Sequence, residues 1–389
     1  MSPFDTPVDR SGTYSVKYDG RKAKFGTDDV LPLWVADMDL PAPECVTDAL
    51  VIRAKHPVYG YTVYPDRFYD AIAHWMKHRH AWSLRKEAIV PIPGVVPALN
   101  FLVTALTEPG DAVLIQPPVY HPFFRLGKHH GRRLLENPLI YEAGEYRIDF
   151  DDFRVKAKEA KLFVLCSPHN PVGRVWKQEE LEKMAAVCLE EGCLIVSDEV
   201  HADIVYPPHR HTPVAALSPD ISDIAITLNA PSKTFNIAGL NTAYAIIEND
   251  SIRRRFETEL KRYDLTMGNL FGIEALTASY ECGEKWLEEL LVYLRENIRF
   301  VTKFLAEHVP QIRPVTPEAT YLMWLDCRGL GMDDEAMERF FVEKAKLGLN
   351  TGVSFGKEGS GFMRLNVGCP RATLEEAMRR LKGAMEEDV

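Results

Sequence analysis

Short apolar runs alternate with amphipathic stretches from about residue 88 to residue 247 of the chain. Runs that are nearly all apolar and end in polar or turn residues are typical of strands buried on both faces of a parallel sheet. The stretch 178–192 has helical periodicity, with acidic residues early and Gly192 at its end. We therefore predict an α/β fold with a mostly parallel sheet covered by helices. The predicted strands are 112–116, 161–166, 193–198, 223–229 and 242–247.

The last hundred residues follow a different pattern. Residues 284–308 form one amphipathic helical stretch that is long enough to bridge two domains. Strand-like runs at 320–326 and 363–370 flank a helical pattern at 333–347. Because 389 residues exceed the usual size of a single hydrophobic core, we expect two domains. We predict a large domain over 48–285 and a smaller α/β domain built from 1–47 and 286–389.

Composition and charge narrow the possible function classes. Hydrophobic residues make up 46% of the chain and charged residues 26%, as in an ordinary packed protein. The formal net charge is -10 and basic clusters are isolated, so we expect no nucleic-acid partner. No stretch approaches the ~20 apolar residues of a membrane span, and the N-terminus lacks the pattern of a secretion signal. We therefore expect a cytoplasmic protein without a membrane partner.

The cysteines and histidines suggest neither a disulfide framework nor a metal site. The seven cysteines contain no Cys-x-x-Cys pair, and an odd number argues against a disulfide framework, so we expect reduced thiols. His74 and His78 would share a helical face with a spacing that a metal site can use. Zinc needs further ligands and none lies nearby in sequence, so we interpret both histidines as surface residues.

Lys233 follows the predicted strand 223–229 and is the first candidate for chemistry. In open parallel sheets, ligands bind beyond the carboxyl ends of the strands, so polar residues that follow apolar runs are candidates for a site. A lysine in a site of low dielectric constant loses its proton more readily and can condense with an aldehyde. Taken alone, a lysine at a strand end is more often a surface residue.

Asp198 ends a predicted strand and Asn170 follows one. An acid at the end of the run 193–198, after four apolar residues, would be poorly hydrated without a cationic partner, which the protonated nitrogen of a cofactor ring can supply. Capping of a following helix is the alternative for Asp198. Asn170 lies in a proline-containing turn after 161–166, which leaves its amide free to donate to a ring oxygen. A plain Asn-Pro turn is the alternative for Asn170.

A phosphate site is predicted where Gly94, Val95 and Val96 precede an apolar helical stretch. Backbone N–H groups at a helix start bind anions, and the hydroxyl of Ser232 would add a further donor. An aldehyde, a ring nitrogen, a ring oxygen and a phosphate are all groups of pyridoxal 5′-phosphate (PLP). The four runs together therefore predict PLP as the cofactor.

Arg364 and Tyr120 are candidates for contacts on the substrate side. Arg364 lies in an apolar, strand-like run of the smaller domain, where an unpaired guanidinium is costly. A substrate α-carboxylate would pair with it bidentately, and an internal salt bridge is the alternative. Tyr120 follows the predicted strand 112–116, and its ring could stack on the pyridine ring of PLP.

These residues, in this order, resemble the fold type I PLP enzymes of the class I/II aminotransferase superfamily over nearly the whole chain. Within it, four further runs look like the cystathionine β-lyase/cystalysin-type C–S lyases. The resemblance implies a mostly parallel seven-stranded sheet in the large domain and a smaller α/β domain. The residues that carry it are Gly94, Tyr120, Asn170-Pro171, Asp198, Lys233 and Arg364, with the runs 34–39, 59–61, 198–203 and 363–370.

The resemblance also implies roles for individual residues. Lys233 would carry PLP as a Schiff base and act with Asp198 in catalysis. Tyr61 would reach the phosphate of the neighbouring subunit across a homodimer, and we count it among the catalytic residues. Ala36 would offer its backbone to the substrate carboxylate, which Asn170 would also contact.

Three positions depart from the pattern of many relatives. Asn241 stands where many aminotransferases carry a phosphate-binding arginine. His201 occupies the place of a tyrosine on the ring oxygen, and Ala230 the place of a phosphate-binding serine. We keep His201 among the predicted cofactor-binding residues.

The resemblance favours a β-lyase that converts cystathionine or related cysteine S-conjugates to pyruvate, ammonia and a thiol. Transamination is the alternative, because the same residues serve both reactions and the choice depends on fine placement about Cα and Cβ. A PLP-binding regulatory protein that meets a partner protein is a third hypothesis. Against it, Lys233, Asp198 and Arg364 are all present and no DNA-binding segment is appended.

Overall fold

The computed structural model describes residues 2–387, in which the strands are two to seven residues long. The strands are β1 (Leu31–Pro32), β2 (Ile89–Ile92), β3 (Ala112–Ile115), β4 (Arg133–Glu136), β5 (Ile140–Glu142), β6 (Glu145–Arg147), β7 (Ala160–Cys166), β8 (Leu194–Asp198), β9 (Ala225–Asn229), β10 (Ala243–Ile246), β11 (Arg313–Val315), β12 (Leu322–Asp326), β13 (Leu347–Gly348), β14 (Asn350–Thr351) and β15 (Phe362–Asn366).

Seven of these strands form the central sheet, in the order β2-β10-β9-β8-β7-β3-β4. β10 pairs antiparallel with β2 and β9, and the other adjacent pairs are parallel. The predicted mostly parallel seven-stranded sheet is therefore confirmed. The carboxyl ends of β7, β8 and β9 lie side by side, since Cys166 is paired with Asp198 and Asp198 with Leu228.

Helices cover both faces of this sheet and link it to the rest of the chain. The α-helices are α1 (Val16–Asp19), α2 (Arg21–Phe25), α3 (Glu44–Lys55), α4 (Asp66–His80), α5 (Val95–Leu106), α6 (Phe123–His130), α7 (Phe150–Ala157), α8 (Gln178–Glu191), α9 (Pro219–Ile224), α10 (Asp250–Arg262), α11 (Leu270–Cys282), α12 (Glu284–His308), α13 (Asp334–Arg339) and α14 (Arg371–Glu387).

Two apolar clusters fill the two faces of the central sheet. Successive residues of a strand point to opposite faces, so Leu162 and Val164 of β7 join the cluster formed with α5, α6 and α10. Phe163 and Leu165 join the other cluster, formed with α4, α8, α11 and α12. Each such buried side chain contributes about 1.5–3 kcal/mol. Burial on both faces explains why these strands are apolar throughout.

A second sheet lies in the C-terminal part of the chain, with strand order β11-β12-β15-β14 and antiparallel pairing throughout. The N-terminal segment packs against this part of the chain: β1 forms a separate two-stranded sheet with β13, and the amide of Asn366 in β15 donates to the carbonyls of Val35 and Asp37. The domain boundaries at 48–285, 1–47 and 286–389 stay a prediction. The central sheet falls inside the first range and the second sheet outside it.

Four predicted elements differ from the structure by two or more residues at an end. The strand-like runs 320–326 and 363–370 correspond to β12 (Leu322–Asp326) and β15 (Phe362–Asn366), and the other two are 223–229 and 333–347. Residues 223 and 224 of the predicted strand 223–229 belong to α9, because Ser218 caps this helix and Pro219 starts it. The predicted helix 333–347 begins as α13 and continues as a π-helix over Phe340–Lys344, so strand β13 starts at Leu347. Helix α12 has the predicted bounds.

The expectation that all cysteines are reduced is wrong for two of them. Cys45 at the start of α3 forms a disulfide with Cys282 at the end of α11, with a Cα–Cα distance of 6.6 Å. The remaining five cysteines are free and buried. The two partners are 237 residues apart in the chain, so their spacing carries no signal of the pairing.

No helix within residues 2–387 is both long and apolar enough to cross a bilayer.

Candidate active site

A cavity of about 310 Å³ lies at the carboxyl ends of β7, β8 and β9 and at the start of α5. This is the edge of an open α/β sheet at which ligands usually bind, and the volume suits a small ligand. Ten of the predicted site residues line it: Ala36, Gly94, Val95, Val96, Tyr120, Asn170, Asp198, His201, Ser232 and Lys233. Ala230 and Asn241 line it as well.

Lys233 lies in a turn after β9 and extends its amine towards the N-terminal segment. Its Nζ donates to the carbonyl oxygen of Ala36 at 2.6 Å. Burial lowers the pKa of Lys233 below that of a free lysine; nearby Asp37 opposes this shift, Arg364 adds to it, and Asp198 opposes it. An amine whose pKa is lowered by burial is the kind that acts as a nucleophile or a base.

Asp198 is the last residue of β8 and is 5% exposed. Its Oδ1 accepts a hydrogen bond from the backbone N–H of Val200 at 3.3 Å. Burial raises the pKa of Asp198 to about 7, against the opposing effects of the Val200 N–H and of Lys233. Residues 200–203 form a turn and not a helix, so Asp198 does not serve as a helix cap. In the part of the chain that the structure describes, no lysine or arginine pairs with it.

Arg364 in β15 lies outside the cavity lining and holds Asn170, which lines the cavity. Its Nη1 donates to Oδ1 of Asn170 at 3.1 Å, which leaves the amide nitrogen of Asn170 to donate elsewhere. Its Nη2 donates to the Trp34 carbonyl and to Oδ1 of Asn350, both at 2.8 Å. The guanidinium carbon lies 4.7 Å from the ring centroid of Phe355.

The guanidinium of Arg364 is 4% exposed, and none of its hydrogen bonds goes to a carboxylate. The internal salt bridge considered as an alternative is therefore not found among residues 2–387. Its Nε is buried without a hydrogen-bond partner in that range. Burial lowers the pKa of Arg364 to about 10. A buried cation without an anionic partner is suited to an anionic ligand.

The predicted phosphate end lies at the start of α5. Gly94 is the N-cap of this helix, and Val95 and Val96, whose N–H groups have no partner within the helix, line the cavity; Pro97 has no N–H and the N–H of Ala98 donates to the Gly94 carbonyl. Ser232 also lines the cavity. Asn241 has a φ of 45°, and its amide donates to the Gly239 carbonyl at 3.4 Å.

His201 and Tyr120 contribute rings to the lining. His201 is 4% exposed, and its Nδ1 is buried without a partner among the described residues. Burial lowers the pKa of His201 to about 3, and the cations of Lys233 and Arg364 add to this shift. The ring is therefore neutral. Burial also raises the pKa of the Tyr120 hydroxyl.

Tyr61 is the predicted site residue that the single chain keeps apart from the cavity. Its side chain is 96% exposed, in a segment between α3 and α4. Arg364 is the other residue outside the cavity lining, but it reaches the lining through Asn170.

Tyr321 and Asn350 contact predicted site residues but were not themselves predicted from the sequence. The Tyr321 hydroxyl donates to the Ala36 carbonyl at 3.0 Å, so this oxygen accepts from both Tyr321 and Lys233. Asn350 faces Arg364 in the β14–β15 register. The strand pairing would have identified Asn350, but such pairing cannot be read from one sequence.

The fold and this site agree with the protein family that the sequence matches. The sequence profile of the aminotransferase class I and II family matches residues 28–381, and the chain belongs to this family. It is 45% identical over 384 residues to cystathionine beta-lyase PatB of Bacillus subtilis (strain 168), covering 98% of this chain and 99% of that protein.

Two solved structures are also similar to the chain. A PLP-bound protein of Clostridium difficile 630, described as an aminotransferase, is 43% identical with a TM-score of 0.97, covering 98% of this chain and 99% of the other. Cystalysin from Treponema denticola, which contains PLP, is 36% identical with a TM-score of 0.96, and each chain is covered to 100%.

Proposed function

We propose that this protein is a PLP-dependent C–S β-lyase. It cleaves cystathionine or related cysteine S-conjugates by α,β-elimination to a thiol and, with the uptake of one water, to pyruvate and ammonia. The observation that carries the proposal is that a lysine with a lowered pKa and a buried carboxylate without a cationic partner line one cavity. The 45% identity to a cystathionine beta-lyase over nearly the whole chain supports the choice of reaction.

The residues of the cavity fit PLP. Asp198 offers a buried carboxylate to a protonated ring nitrogen, and such a pair removes the cost of leaving that carboxylate unpartnered. The N–H groups at the start of α5 and the Ser232 hydroxyl suit a phosphate. The amide nitrogen of Asn170 suits the ring oxygen, because Oδ1 of this residue is occupied by Arg364.

We assign the reacting groups as follows. PLP, when bound, supplies an electron sink that stabilises negative charge at the substrate Cα while the sulfur leaves Cβ. The Lys233 amine would hold the cofactor; as a free amine it would take the proton from Cα, which ends on the departing sulfur as the thiol, since burial keeps this amine a usable base. Asp198 keeps the ring nitrogen protonated, and Tyr120 covers the ring face.

The substrate carboxylate is assigned to Arg364, with the backbone of Ala36 and the amide of Asn170 beside it. The guanidinium is fixed by Trp34 and Asn350, so it is oriented before substrate binds. Fixing both ends of the substrate aligns the bond to be broken at Cα and limits the entropy lost in the reaction.

Tyr61 enters the proposal through a homodimer. In one chain its ring is 96% exposed, and Val58, Tyr59 and Val63 beside it are 62%, 58% and 79% exposed. Apolar residues concentrated in this way on one segment are typical of an association surface. We assign Tyr61 to the phosphate of the neighbouring subunit, and the protein to the cytoplasm.

Transamination is the second candidate, because the matching family includes aminotransferases and the similar Clostridium difficile protein is described as one. The two reactions differ in what they require. Incubation of purified, PLP-loaded protein with cystathionine, with and without an α-keto acid, separates them. We expect thiol and pyruvate release without a keto acid; turnover that strictly depends on a keto acid would reject the lyase.

A further inference from the structure

Behind the cavity, Asp203 is buried among three hydrogen-bond donors. Its Oδ1 accepts from Nε2 of His80 at 2.8 Å and from the indole N–H of Trp75 at 3.1 Å. Its Oδ2 accepts from the hydroxyl of Thr234 at 2.9 Å. Asp203 and Thr234 are 3% and 0% exposed. Both side chains are therefore held in place with little freedom.

Asp203 is held as an anion. Burial alone would raise the pKa of its carboxyl group, but the hydrogen bond and charge of His80, with the charge of Arg79 and the Thr234 hydroxyl, lower it below the usual value. Hydrogen bonds to a charged group are stronger than those between neutral groups. The Thr234 hydroxyl is therefore anchored firmly.

Thr234 directly follows Lys233 in a turn that belongs to neither a strand nor a helix. The long, flexible side chain of Lys233 is held at its far end by the Ala36 carbonyl, which the proposed reaction requires it to leave. In that state the direction of the amine depends on how well the backbone of the turn is fixed. The bond from Thr234 to Asp203 is the side-chain anchor nearest to it in the chain.

A second pair packs against the first. Glu199, which follows Asp198, accepts from Nε2 of His211 at 2.9 Å and from the Ser197 hydroxyl at 2.8 Å. The rings of His80 and His211 meet edge to face, with their centroids 5.5 Å apart. The two imidazole–carboxylate pairs thus form one buried cluster behind the cavity.

We propose that Asp203, acting through Thr234, is a positioning residue that directs the Lys233 amine towards the cofactor. Asp203 takes no proton and touches neither cofactor nor substrate. The inference rests on the assignment of PLP to Lys233 made above, and it is independent of whether the reaction is elimination or transamination.

The test compares Thr234→Val, which removes the hydroxyl at nearly constant shape, with Thr234→Ser, which keeps it. Asp203→Asn is the second disruptive variant, and Trp75→Phe is the matched control that removes a different donor to the same carboxylate. The readouts are the circular dichroism of the visible band per bound PLP, and kcat and KM measured separately.

We expect Thr234→Val and Asp203→Asn to weaken the dichroic band and to lower kcat about tenfold with little change in KM, because small misplacements are costly in the reacting geometry. Thr234→Ser should match the wild type in both readouts, and Trp75→Phe, which leaves the bond from Thr234 to Asp203 in place, should lose less than Thr234→Val. Wild-type dichroism and kcat in Thr234→Val, or an equal loss in Trp75→Phe, would overturn the inference. A wild-type protein without any visible band would instead reject the PLP assignment, and the inference with it.

Discussion

Asp198 ends strand β8, Asp203 lies five residues further along the chain, and both are buried, yet their surroundings are opposite. Asp198 accepts one hydrogen bond, from the backbone N–H of Val200, and burial raises its pKa to about 7. Asp203 accepts from His80, Trp75 and Thr234, and its pKa is lowered despite burial.

The difference distinguishes a carboxylate that is free to bind a ligand from one whose hydrogen bonds stabilise the surrounding fold. An ionised carboxylate has about four sites for hydrogen bonds. The protein fills most of those sites at Asp203 and leaves most of them open at Asp198, which faces the cavity. A buried acid with unused hydrogen-bonding capacity therefore marks the candidate site, and a buried acid with satisfied capacity marks its support.

The largest expected effect is that of Asp198→Asn on catalysis. This change removes the proposed partner of the ring nitrogen, and breaking a buried pair costs about 3–5 kcal/mol. We expect kcat/KM for cystathionine to fall roughly 10²- to 5 × 10³-fold. Steady-state kinetics of the PLP-loaded variant measure this. Undiminished activity would remove Asp198 from the mechanism and with it the contrast to Asp203.

The two aspartates should also give opposite pH dependence of the stability of the cofactor-free protein. Asp198 keeps its proton in the folded state up to about pH 7, whereas the unfolded chain loses it near pH 4. Between these values, rising pH favours the unfolded state by up to about 1.4 kcal/mol per pH unit. Asp203, whose pKa is lowered in the folded state, contributes stability that is lost as the pH falls below its usual pKa.

Denaturant unfolding from pH 4 to pH 8 measures this effect, with Asp198→Asn as the comparison. We expect the stability of the variant minus that of the wild type to grow as the pH rises to about 7 and then to level off. A difference that does not change with pH would mean that Asp198 is ionised in the folded protein at low pH.

Asp203→Asn should affect the stability of the fold more than the binding of PLP. Hydrogen bonds to a buried charge contribute about 1.5–3 kcal/mol, so we expect a loss of roughly this size in the free energy of unfolding at pH 7. Chemical denaturation with the cofactor-free protein measures it. A variant as stable as the wild type would contradict the view that the hydrogen bonds of Asp203 stabilise the fold.

The smallest effect is expected for Tyr321→Phe. The Tyr321 hydroxyl shares the Ala36 carbonyl with Lys233, and the loss of one hydrogen bond costs about 1 kcal/mol. We expect up to about a fivefold change in KM for cystathionine, with kcat nearly unchanged. A large fall in kcat instead would give Tyr321 a part in the chemistry.

The part of the site at the strand ends could be predicted from local pattern. Lys233, Asp198 and Asn170 each follow an apolar run, and parallel strands bring their carboxyl ends to one edge. The helix start at Gly94 was predicted in the same way. In each case the residue with a chemical role lies within a few positions of the apolar run that predicts the strand or helix.

Contacts between distant segments could not be predicted. Arg364 was expected to need an anionic partner, but its fixation by Trp34 and Asn350 depends on how the N-terminal segment meets β15. The pairing of Cys45 with Cys282 depends likewise on the packing of α3 against α11. The role of Asp203 could not be predicted, because its three donors come from α4 and from the turn after β9, which are distant from it in the chain.

The most direct test of the central claim is to reduce the PLP-loaded protein with borohydride and to locate the modified peptide by mass spectrometry. The account predicts one pyridoxyl group, on Lys233, and no modification of the Lys233→Ala variant, which should also lack the visible band. A pyridoxyl group on another lysine, or a Lys233→Ala variant with an unchanged band and full turnover, would contradict it.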